Sequence, residues 1–180
     1  SGRATGGVEC RLAATGNALM DKLPSLYDNA SLSDVTFVVG QRRELHAHRV
    51  VLAAVSNRFF NMFNSKHEAR WHEKVLPLDD FDPDSFDLML RYVYGQEITF
   101  HGIDPAWMLL EVATHFNVEE LVEAVKAYLV MQVNPACCCT LWNHAHRVQN
   151  TDLESRCMHE MATRFEEVAQ CPGFLELEED

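Results

Sequence analysis

The stretch from Leu32 to Phe63, LSDVTFVVGQRRELHAHRVVLAAVSNRFFNMF, constrains the fold most, because four elements follow one another with little room between them. DVTFVVG is a β-branched and aromatic run that ends at Gly40, which predicts a mostly buried strand. QRR then turns the chain and ELHAH predicts a second strand, so the two form a hairpin. RVVLAAV and NRFFNMF are apolar and free of proline, and they predict two short helices with Ser56 as the cap of the second.

Two further elements follow this stretch. EKVLPL predicts a third strand, and Pro77 places it at a sheet edge or near the end of the strand, because proline has no N–H to donate to a neighbouring strand. DPDSFDLMLRYVYG predicts a helix that Asp82 caps, Pro83 opens and Gly95 ends.

Apolar periodicity predicts helices on both sides of these elements. The spacing from Leu19 to Tyr27 suits one helix face, although Pro24 removes a helical hydrogen bond and can kink the element. DPAWMLLEVATHFNV is apolar almost all round, which predicts a helix at the centre of the core. In ACCCTLWNHAHRV, the expected core stripe consists of Cys138, Leu141, Trp142, Ala145 and Val148. Four helix openings are expected, at Asp104-Pro105, Asn117 with Glu120, Asn134-Pro135, and Thr151 with Glu154.

Strands between short helices, followed by helices only, predict an α+β fold. The α+β domain is expected over residues 17–132, and a helical annex over residues 133–180. Residues 1–16, which begin with SGRATGG rather than Met, are expected to be a flexible lead that cloning partly supplied.

The charge of the chain limits its partners. Acidic residues number 27 against 15 basic ones, so the net charge of −12 would repel nucleic acid in the absence of a basic patch. No run approaches the roughly 18 apolar residues of a membrane helix, and no signal peptide opens the sequence. We therefore expect no nucleic acid and no membrane partner, and an intracellular location that is cytoplasmic, nuclear or both.

The cysteines and histidines do not form a recognisable site. Three of the six cysteines are adjacent, and all are expected to be reduced thiols. Cys137 and His144 share a helix face but stand about 10 Å apart along the axis, so that helix alone cannot close a zinc site. No phosphate loop, hydrolase elbow or Cys-His arrangement with an orienting group is apparent. We predict no catalytic residue, no metal and no cofactor.

The order of these elements, with HAHRVVLAAVSNRFFNMF and LPLDDFDPDSFDLMLRYVYGQEI, resembles the BTB (POZ) domain. The resemblance covers about 115 residues and implies a small three-stranded-type sheet flanked by helical hairpins. The matching positions are Asp34, Ala47, His48, Arg49, Leu52, Ala53, Ala54, Ser56, Phe59 or Phe60, Met62, Phe63, Tyr92, Tyr94 and Ile98.

The tail after residue 133 resembles the opening helices of a BACK domain, as found in BTB-BACK-Kelch proteins. Cys137 or Cys138 stands at the cysteine that starts that region, and the motif near the chain end is matched by Phe165, Val168, Phe174, Leu175 and Leu177. A full BACK domain is longer, so the natural protein is expected to continue, with Kelch-type repeats as one continuation.

The BTB resemblance implies a two-fold homodimer. In this family an acidic and a basic residue line a groove at the subunit interface, together with an apolar first helix, and an isologous interface supplies such a pair twice. Packing within the same subunit is the alternative for that helix. The residues expected at the dimer interface are Leu19, Met20, Leu23, Leu26, Tyr27, Asp34, His48 and Arg49.

The resemblance also implies binding to the N-terminal domain of cullin-3. In BTB adaptors an apolar-x-Glu motif follows the M-F helix; here Lys66-His67-Glu68 stands at that position with Lys in place of the apolar anchor, while Trp71-His72-Glu73 offers an aromatic hot-spot residue. A plain exposed loop is the alternative. The expected contacts are Met62, Phe63, Asn64, Ser65, Lys66, His67, Glu68, Trp71, Glu73 and Tyr94.

Two functions follow from the resemblance. The first is a non-catalytic substrate adaptor of a cullin-3 RING ubiquitin ligase, whose protein substrate is bound by a region beyond this chain. The second is a self-association scaffold, in transcription or the cytoskeleton, that does not bind a cullin. Lys66 favours the scaffold, and the BACK-like tail favours the adaptor.

Overall fold

The structure, a computed structural model, describes residues 18–40, 43–65 and 69–176. The expected lead over residues 1–16 lies outside these ranges. The element bounds are α1 Ala18–Lys22, a 3-10 turn Leu23–Leu26, β1 Val35–Val39, β2 Arg43–Ala47, α2 Arg49–Val55, α3 Asn57–Asn64, a 3-10 turn Ala69–His72, β3 Val75–Leu78, α4 Pro83–Val93, α5 Ile103–His115, α6 Glu119–Gln132, α7 Cys138–Arg147, α8 Thr151–Thr163, α9 Phe165–Val168 and a 3-10 turn Pro172–Glu176.

The sheet has three strands in the order β2-β1-β3. β1 and β2 form the predicted antiparallel hairpin, in which Phe37 faces Leu45. β3 pairs in parallel with β1, because β2 ends beside the start of β1 and the α2 and α3 helices then carry the chain to the other side of β1. Pro77 therefore lies on an edge strand, as predicted, where the missing N–H does not interrupt a central strand of the sheet.

Local chemistry explains most element boundaries. The hydroxyl of Ser56 accepts the N–H of Phe59 at 3.1 Å, which confirms the predicted cap of α3. The carboxylate of Asp82 likewise accepts the N–H of Ser85 at 2.8 Å and caps α4. Pro24 does interrupt the first helix: α1 ends at Lys22 and continues as a 3-10 turn.

Four predicted helix openings are wrong by one to three residues. α5 begins at Ile103 after Gly102, and α7 begins at Cys138. Neither predicted capping box forms. Asn117 adopts a left-handed conformation with φ of 52°, so Val118 precedes α6. Asn150, one residue before the predicted Thr151, accepts the N–H of Leu153 and caps α8.

A cluster of four phenylalanines joins the sheet to the helices. The rings of Phe59 and Phe116 stack with centroids 4.7 Å apart, while Phe86 meets Phe37 at 5.1 Å and Phe116 at 5.4 Å. All four side chains have no exposed surface. Such aromatic pairs contribute roughly 0.5–1.5 kcal/mol each beyond the area they bury, so this cluster binds β1, α3, α4 and the end of α5 into one core.

The helical annex packs on the same core through α7 and α8. Cys138, Leu141 and Ala145 of the predicted stripe are buried, and Trp142 is partly buried against His146. The predicted stripe is wrong at Val148, which is 48% exposed because α7 ends at the preceding residue.

Ser56 provides a test of how α3 is attached to α5. Its buried hydroxyl accepts from Phe59 and also donates to the carbonyl of Phe116. Ser56→Ala removes the cap and leaves that carbonyl without its donor, so we expect the free energy of unfolding to fall by about 2–3 kcal/mol in chemical denaturation. Ser155→Ala, at an exposed position on α8, is the control, and an equal effect of the two substitutions would contradict this role.

Candidate functional site

Asp34 and Arg49 lie together at the start of β1 and α2, but they do not meet as a simple ion pair. The carboxylate of Asp34 accepts the backbone N–H of Arg49 at 2.8 Å, at the beginning of α2. The Arg49 guanidinium donates to the backbone carbonyls of Asp34 (3.3 Å), Trp71 (2.5 Å) and Glu73 (2.6 Å). It also lies 4.9 Å from the centre of the Phe63 ring. The pair therefore joins three chain segments within one protomer.

His48, the residue before α2, is buried and fully hydrogen-bonded. Its backbone N–H donates to the hydroxyl of Tyr94 at 2.8 Å, and its Nδ1 lies 2.8 Å from the same hydroxyl. Its Nε2 lies 3.4 Å from the carbonyl of Ser31, which can only accept, so this nitrogen carries the proton in the neutral ring. The Tyr94 hydroxyl then donates to Nδ1. His48 acts here as a buried structural residue.

The pKa of Tyr94 is raised to about 12, chiefly by burial and to a lesser degree by the nearby Asp34 charge, while the hydrogen bond from the His48 backbone lowers it. The side chain has no exposed surface. Tyr94, which was predicted to contact cullin-3, therefore offers no side-chain surface of its own to a partner. Its hydroxyl instead fixes the start of α2.

The predicted interfacial helix is divided between two environments. Met20 is 51% exposed, whereas Leu23, Leu26 and Tyr27 are partly buried against the core of their own chain. The side chain of Leu19 lies outside the described part. Tyr27 has the most internal contacts: its hydroxyl donates to Asp87, and its ring meets that of Tyr94 edge-on at 6.2 Å.

Asp87 is a buried carboxylate with several hydrogen-bond donors, and the sequence prediction did not include it. Its carboxylate is 8% exposed and accepts from Tyr27, from Arg43 Nη2 at 2.9 Å and from Arg91 Nε at 2.9 Å. A buried carboxylate requires such donors, since an unpaired one costs several kcal/mol. The i,i+4 spacing of Asp87 and Arg91 was the available clue. The cluster ties β2, α4 and the turn after α1 together.

An apolar patch, defined as Leu32 and Val50, adds to the surface expected for dimerisation. Leu32 is 88% exposed and has a φ of 64°, a conformation that leucine rarely adopts; Val50 is 75% exposed. Leu32 and Val50 lie close in the sequence to Asp34 and Arg49, and neither was predicted to belong to the dimer interface. Large exposed aliphatic residues in a group are typical of protein contacts.

The residues expected to contact cullin-3 lie around the end of α3. Lys66, His67 and Glu68 lie outside the described residues. Asn64 and Glu73 are exposed, and the side chains of Met62, Phe63, Ser65 and Trp71 are half-buried. The Arg70 guanidinium lies 4.4 Å from the centre of the Trp71 ring.

A groove of about 560 Å³ separates the end of α3 from the end of α5. We call it the α3–α5 groove; it is lined by Arg58, Asn61, Met62, Ser65, Trp71, Thr114, His115 and Asn117. Arg58 Nη2 lies 3.0 Å from His115 Nε2. Because a guanidinium can only donate, His115 Nε2 accepts this hydrogen bond and the imidazole ring is neutral. Burial, and secondarily the Arg58 charge, lower the pKa of His115. One wall of the groove contains Met62, Ser65 and Trp71, which were predicted to contact cullin-3. The other wall comes from the end of α5, which was not predicted to contribute.

Four cysteines of the annex, Cys137, Cys138, Cys139 and Cys157, are free thiols with little reactivity. Burial, together with neighbouring cysteines, raises the pKa of Cys138 and Cys157 to about 12, and burial also raises the pKa values of Cys137 and Cys139. Protonated thiols are poor nucleophiles and poor metal ligands. Among residues 18–40, 43–65 and 69–176, no group of three or more His, Cys, Asp or Glu side chains is placed to hold a metal ion.

No helix in the described part of the chain is both long and apolar enough to cross a bilayer. A small sheet flanked by helices, with exposed aliphatic residues such as Leu32 and Val50, is typical of a protein-interaction domain. The BTB/POZ domain model matches residues 23–132, and the chain belongs to the BTB/POZ family.

Kelch-like proteins are among the relatives. Kelch-like protein 24a of Danio rerio is 32% identical over 154 residues, covering 85% of this chain and 25% of the relative. Kelch-like protein 38 of Homo sapiens is 31% identical, covering 88% and 27%. BTB/POZ domain-containing protein 6 of Homo sapiens is 27% identical, covering 89% and 30%. The chain therefore spans about a quarter to a third of the length of these relatives.

The buried phenol of Tyr94 has a consequence for stability at high pH. Its pKa is raised from 10.0 to about 12, so the stability it contributes is complete below pH 10 and is lost as the pH rises toward 12, where only the unfolded chain readily ionises it. Tyr94→Phe leaves the His48 N–H unpaired and should cost about 1–3 kcal/mol at neutral pH. We expect this difference from the wild type to shrink between pH 10 and 12 in urea unfolding.

Tyr92→Phe, which removes a phenol from the half-buried neighbouring position on α4, serves as the comparison. A Tyr94→Phe difference that keeps its neutral-pH size throughout the alkaline range would contradict the assigned burial of this hydroxyl.

Proposed function

We propose that this chain is the homodimerising interaction module of a substrate adaptor for a cullin-3 RING ubiquitin ligase. The module performs no chemistry: one surface joins two protomers, a second binds the cullin-3 N-terminal domain, and a region outside this chain binds the protein substrate. Family membership and the Kelch-like relatives support this proposal. The annex after residue 133 would be the start of a BACK domain.

Dimerisation is supported by the apolar patch beside the Asp34–Arg49 contact. Burying Leu32 and Val50 would yield roughly 25 cal/mol for each Å² of apolar surface removed from water. A two-fold axis near this patch would bring each residue against its own surface in the partner, so the gain is obtained twice. Two copies also make the ligase bivalent, which raises the effective concentration of a bound substrate.

Cullin binding is supported chiefly by the α3–α5 groove. It is concave, it holds a half-buried tryptophan in one wall, and it begins where α3 ends. The Arg49 bond to the carbonyl of Trp71 fixes the backbone beneath that indole, which reduces the entropy lost when a partner packs against it. Trp71 thus has the properties of an interface anchor.

The dimer patch can be tested by placing a charge in it. Val50→Glu and Leu32→Glu should shift the chain toward monomer in sedimentation velocity, because a carboxylate buried in an apolar interface costs several kcal/mol and the symmetric contact contains it twice. Met131→Glu, on α6 and 81% exposed, is the matched control. A dimer of unchanged affinity in both patch variants would refute this interface.

The adaptor role can be tested by calorimetric titration with the isolated cullin-3 N-terminal domain. We expect saturable binding at or below tens of micromolar, and a loss of about tenfold or more for Trp71→Ala, because anchors of this type dominate interface energies. Met131→Ala is the control. Absence of saturable binding would overturn the adaptor proposal in favour of the self-association scaffold, which the lysine at position 66 already favours.

A further inference from the structure

Five cysteines of the annex form one cluster of free thiols. They lie at three places: the start of α7 (Cys137, Cys138 and Cys139), α8 (Cys157) and the segment after α9 (Cys171). Burial is the main cause of the raised pKa of Cys157, with smaller contributions from the three cysteines at the start of α7. Burial also raises the pKa of Cys139, and the nearby Cys171 contributes to this increase. We call the five residues the annex thiol cluster.

The segment that carries Cys171 packs directly against the start of α7. A Cβ atom at Gly173 would lie 3.6 Å from the Cβ atom of Cys139. Cβ atoms that are joined through a disulfide lie about 3.5–4.5 Å apart, so these two segments approach each other as closely as disulfide-linked segments do. Cys171 and Cys137 each lie two positions earlier in the same two segments.

Exposure separates two members of the annex thiol cluster from the other three. Cys138, Cys139 and Cys157 are buried, whereas Cys137 and Cys171 are partly exposed. A small reagent dissolved in water can therefore reach the thiols of Cys137 and Cys171 more readily than the others. Reactions of the cluster with such a reagent are expected to begin at these two residues.

Local hydrogen bonds hold the two accessible thiols only weakly. Cys137 Sγ donates to the carbonyl of Gln132 at 3.0 Å, and Cys171 Sγ donates to the carbonyl of Glu167 at 3.4 Å. Thiols are weak donors, so little is lost when these bonds break.

The environment of Cys137 suits it to an intramolecular reaction. Burial raises its pKa, and the charge of Glu160 contributes to the increase. Cys137 is therefore a poor nucleophile toward a dilute reagent in solution. A reactive group held beside it compensates for this weakness, because proximity gives the intramolecular step a high effective concentration.

We propose that Cys171 and Cys137 form a reversible disulfide when the chain meets hydrogen peroxide, so that the annex contains an oxidation site. In the first step the Cys171 thiolate attacks one peroxide oxygen, the O–O bond breaks, and the products are a sulfenic acid on Cys171 and water. In the second step Cys137 Sγ attacks Cys171 Sγ, the S–O bond breaks, and a second water leaves with the proton of the Cys137 thiol. Two thiols thus lose two electrons, and the peroxide is reduced to two waters.

This disulfide would close a loop that contains α7, α8 and α9. A cross-link of this kind stabilises a fold chiefly by restricting its unfolded state, and a thiol reductant would reverse the effect. The inference does not depend on the adaptor proposal, since the described lining of the α3–α5 groove contains no residue of the annex.

The test treats the fully reduced full chain with excess hydrogen peroxide, blocks the remaining thiols and maps peptides by mass spectrometry without reduction. We expect a linked pair of peptides that contain Cys137 and Cys171, two hydrogens lighter than the separate peptides. The midpoint of thermal unfolding should rise by about 5 °C or more, and dithiothreitol should reverse both changes.

Single substitutions then separate the two steps. Cys171→Ser should abolish the disulfide and the rise in the unfolding midpoint. Cys137→Ser should also abolish the disulfide but leave a sulfenic acid on Cys171, which dimedone labels. Cys10→Ser, which removes a cysteine outside the described residues, is the matched control and should behave like the wild type. Thermal unfolding under reducing conditions checks that each variant is folded.

Three outcomes would overturn the proposal. Thiols that stay reduced in excess peroxide would mean that the accessible pair does not react. A disulfide that joins two chains, or that pairs Cys171 with Cys139, would contradict the assigned partner. Dimedone labelling of Cys137 in the Cys171→Ser variant, without labelling of Cys171 in the Cys137→Ser variant, would contradict the order of the two steps.

Discussion

The Arg49 side chain is the interaction on which the N-terminal half of the structure depends. Its guanidinium donates to three backbone carbonyls, at Asp34, Trp71 and Glu73, and thereby joins the start of β1, the start of α2 and the segment before β3. Charged donors form stronger hydrogen bonds than neutral ones, and the planar fork of arginine supplies several at once. Lysine could not make this set of contacts. The same residue therefore fixes the apolar patch on one side and the Trp71 wall of the α3–α5 groove on the other.

Short connections separate the apolar patch, the α3–α5 groove and a second cleft, of about 610 Å³, which is lined by residues of α1, the α2–α3 junction, the end of α4 and the start of α6. Ser56 joins α3 to the end of α5, and Asn117, in its left-handed conformation, turns the chain directly into α6. As a result the α3–α5 groove and the second cleft share a single lining residue, Asn117. Their chemistry is opposite: Arg58 and His115 line the first, and carboxylates line the second. A module built in this way can offer surfaces of different charge to different partners.

Sequence patterns predicted element types well and contacts poorly. The hairpin, the edge position of Pro77, and the caps at Ser56 and Asp82 were all predictable because each depends on the chemistry of a few adjacent residues. The capping box at Asn117 failed because this residue adopts a left-handed conformation ahead of the N-cap Val118, and the one at Thr151 failed because Asn150 caps α8 instead. Asp34 and Arg49 were correctly expected to be close, but not to bond through the backbone. Family resemblance suggested Tyr94 as a contact residue without indicating that it is buried.

The sequence by itself determined the fold class, because strand and helix periodicity are local properties and because the BTB motif residues are numerous and ordered. It also determined the acidic character that disfavours nucleic acid. Only the tertiary structure decided which charges are consumed internally, as at Asp87, and which remain unpaired, as at Glu97. The physical reason is that burial and pairing depend on residues that are far apart in the chain. Arg43 and Asp87, for example, meet only because the sheet packs against α4.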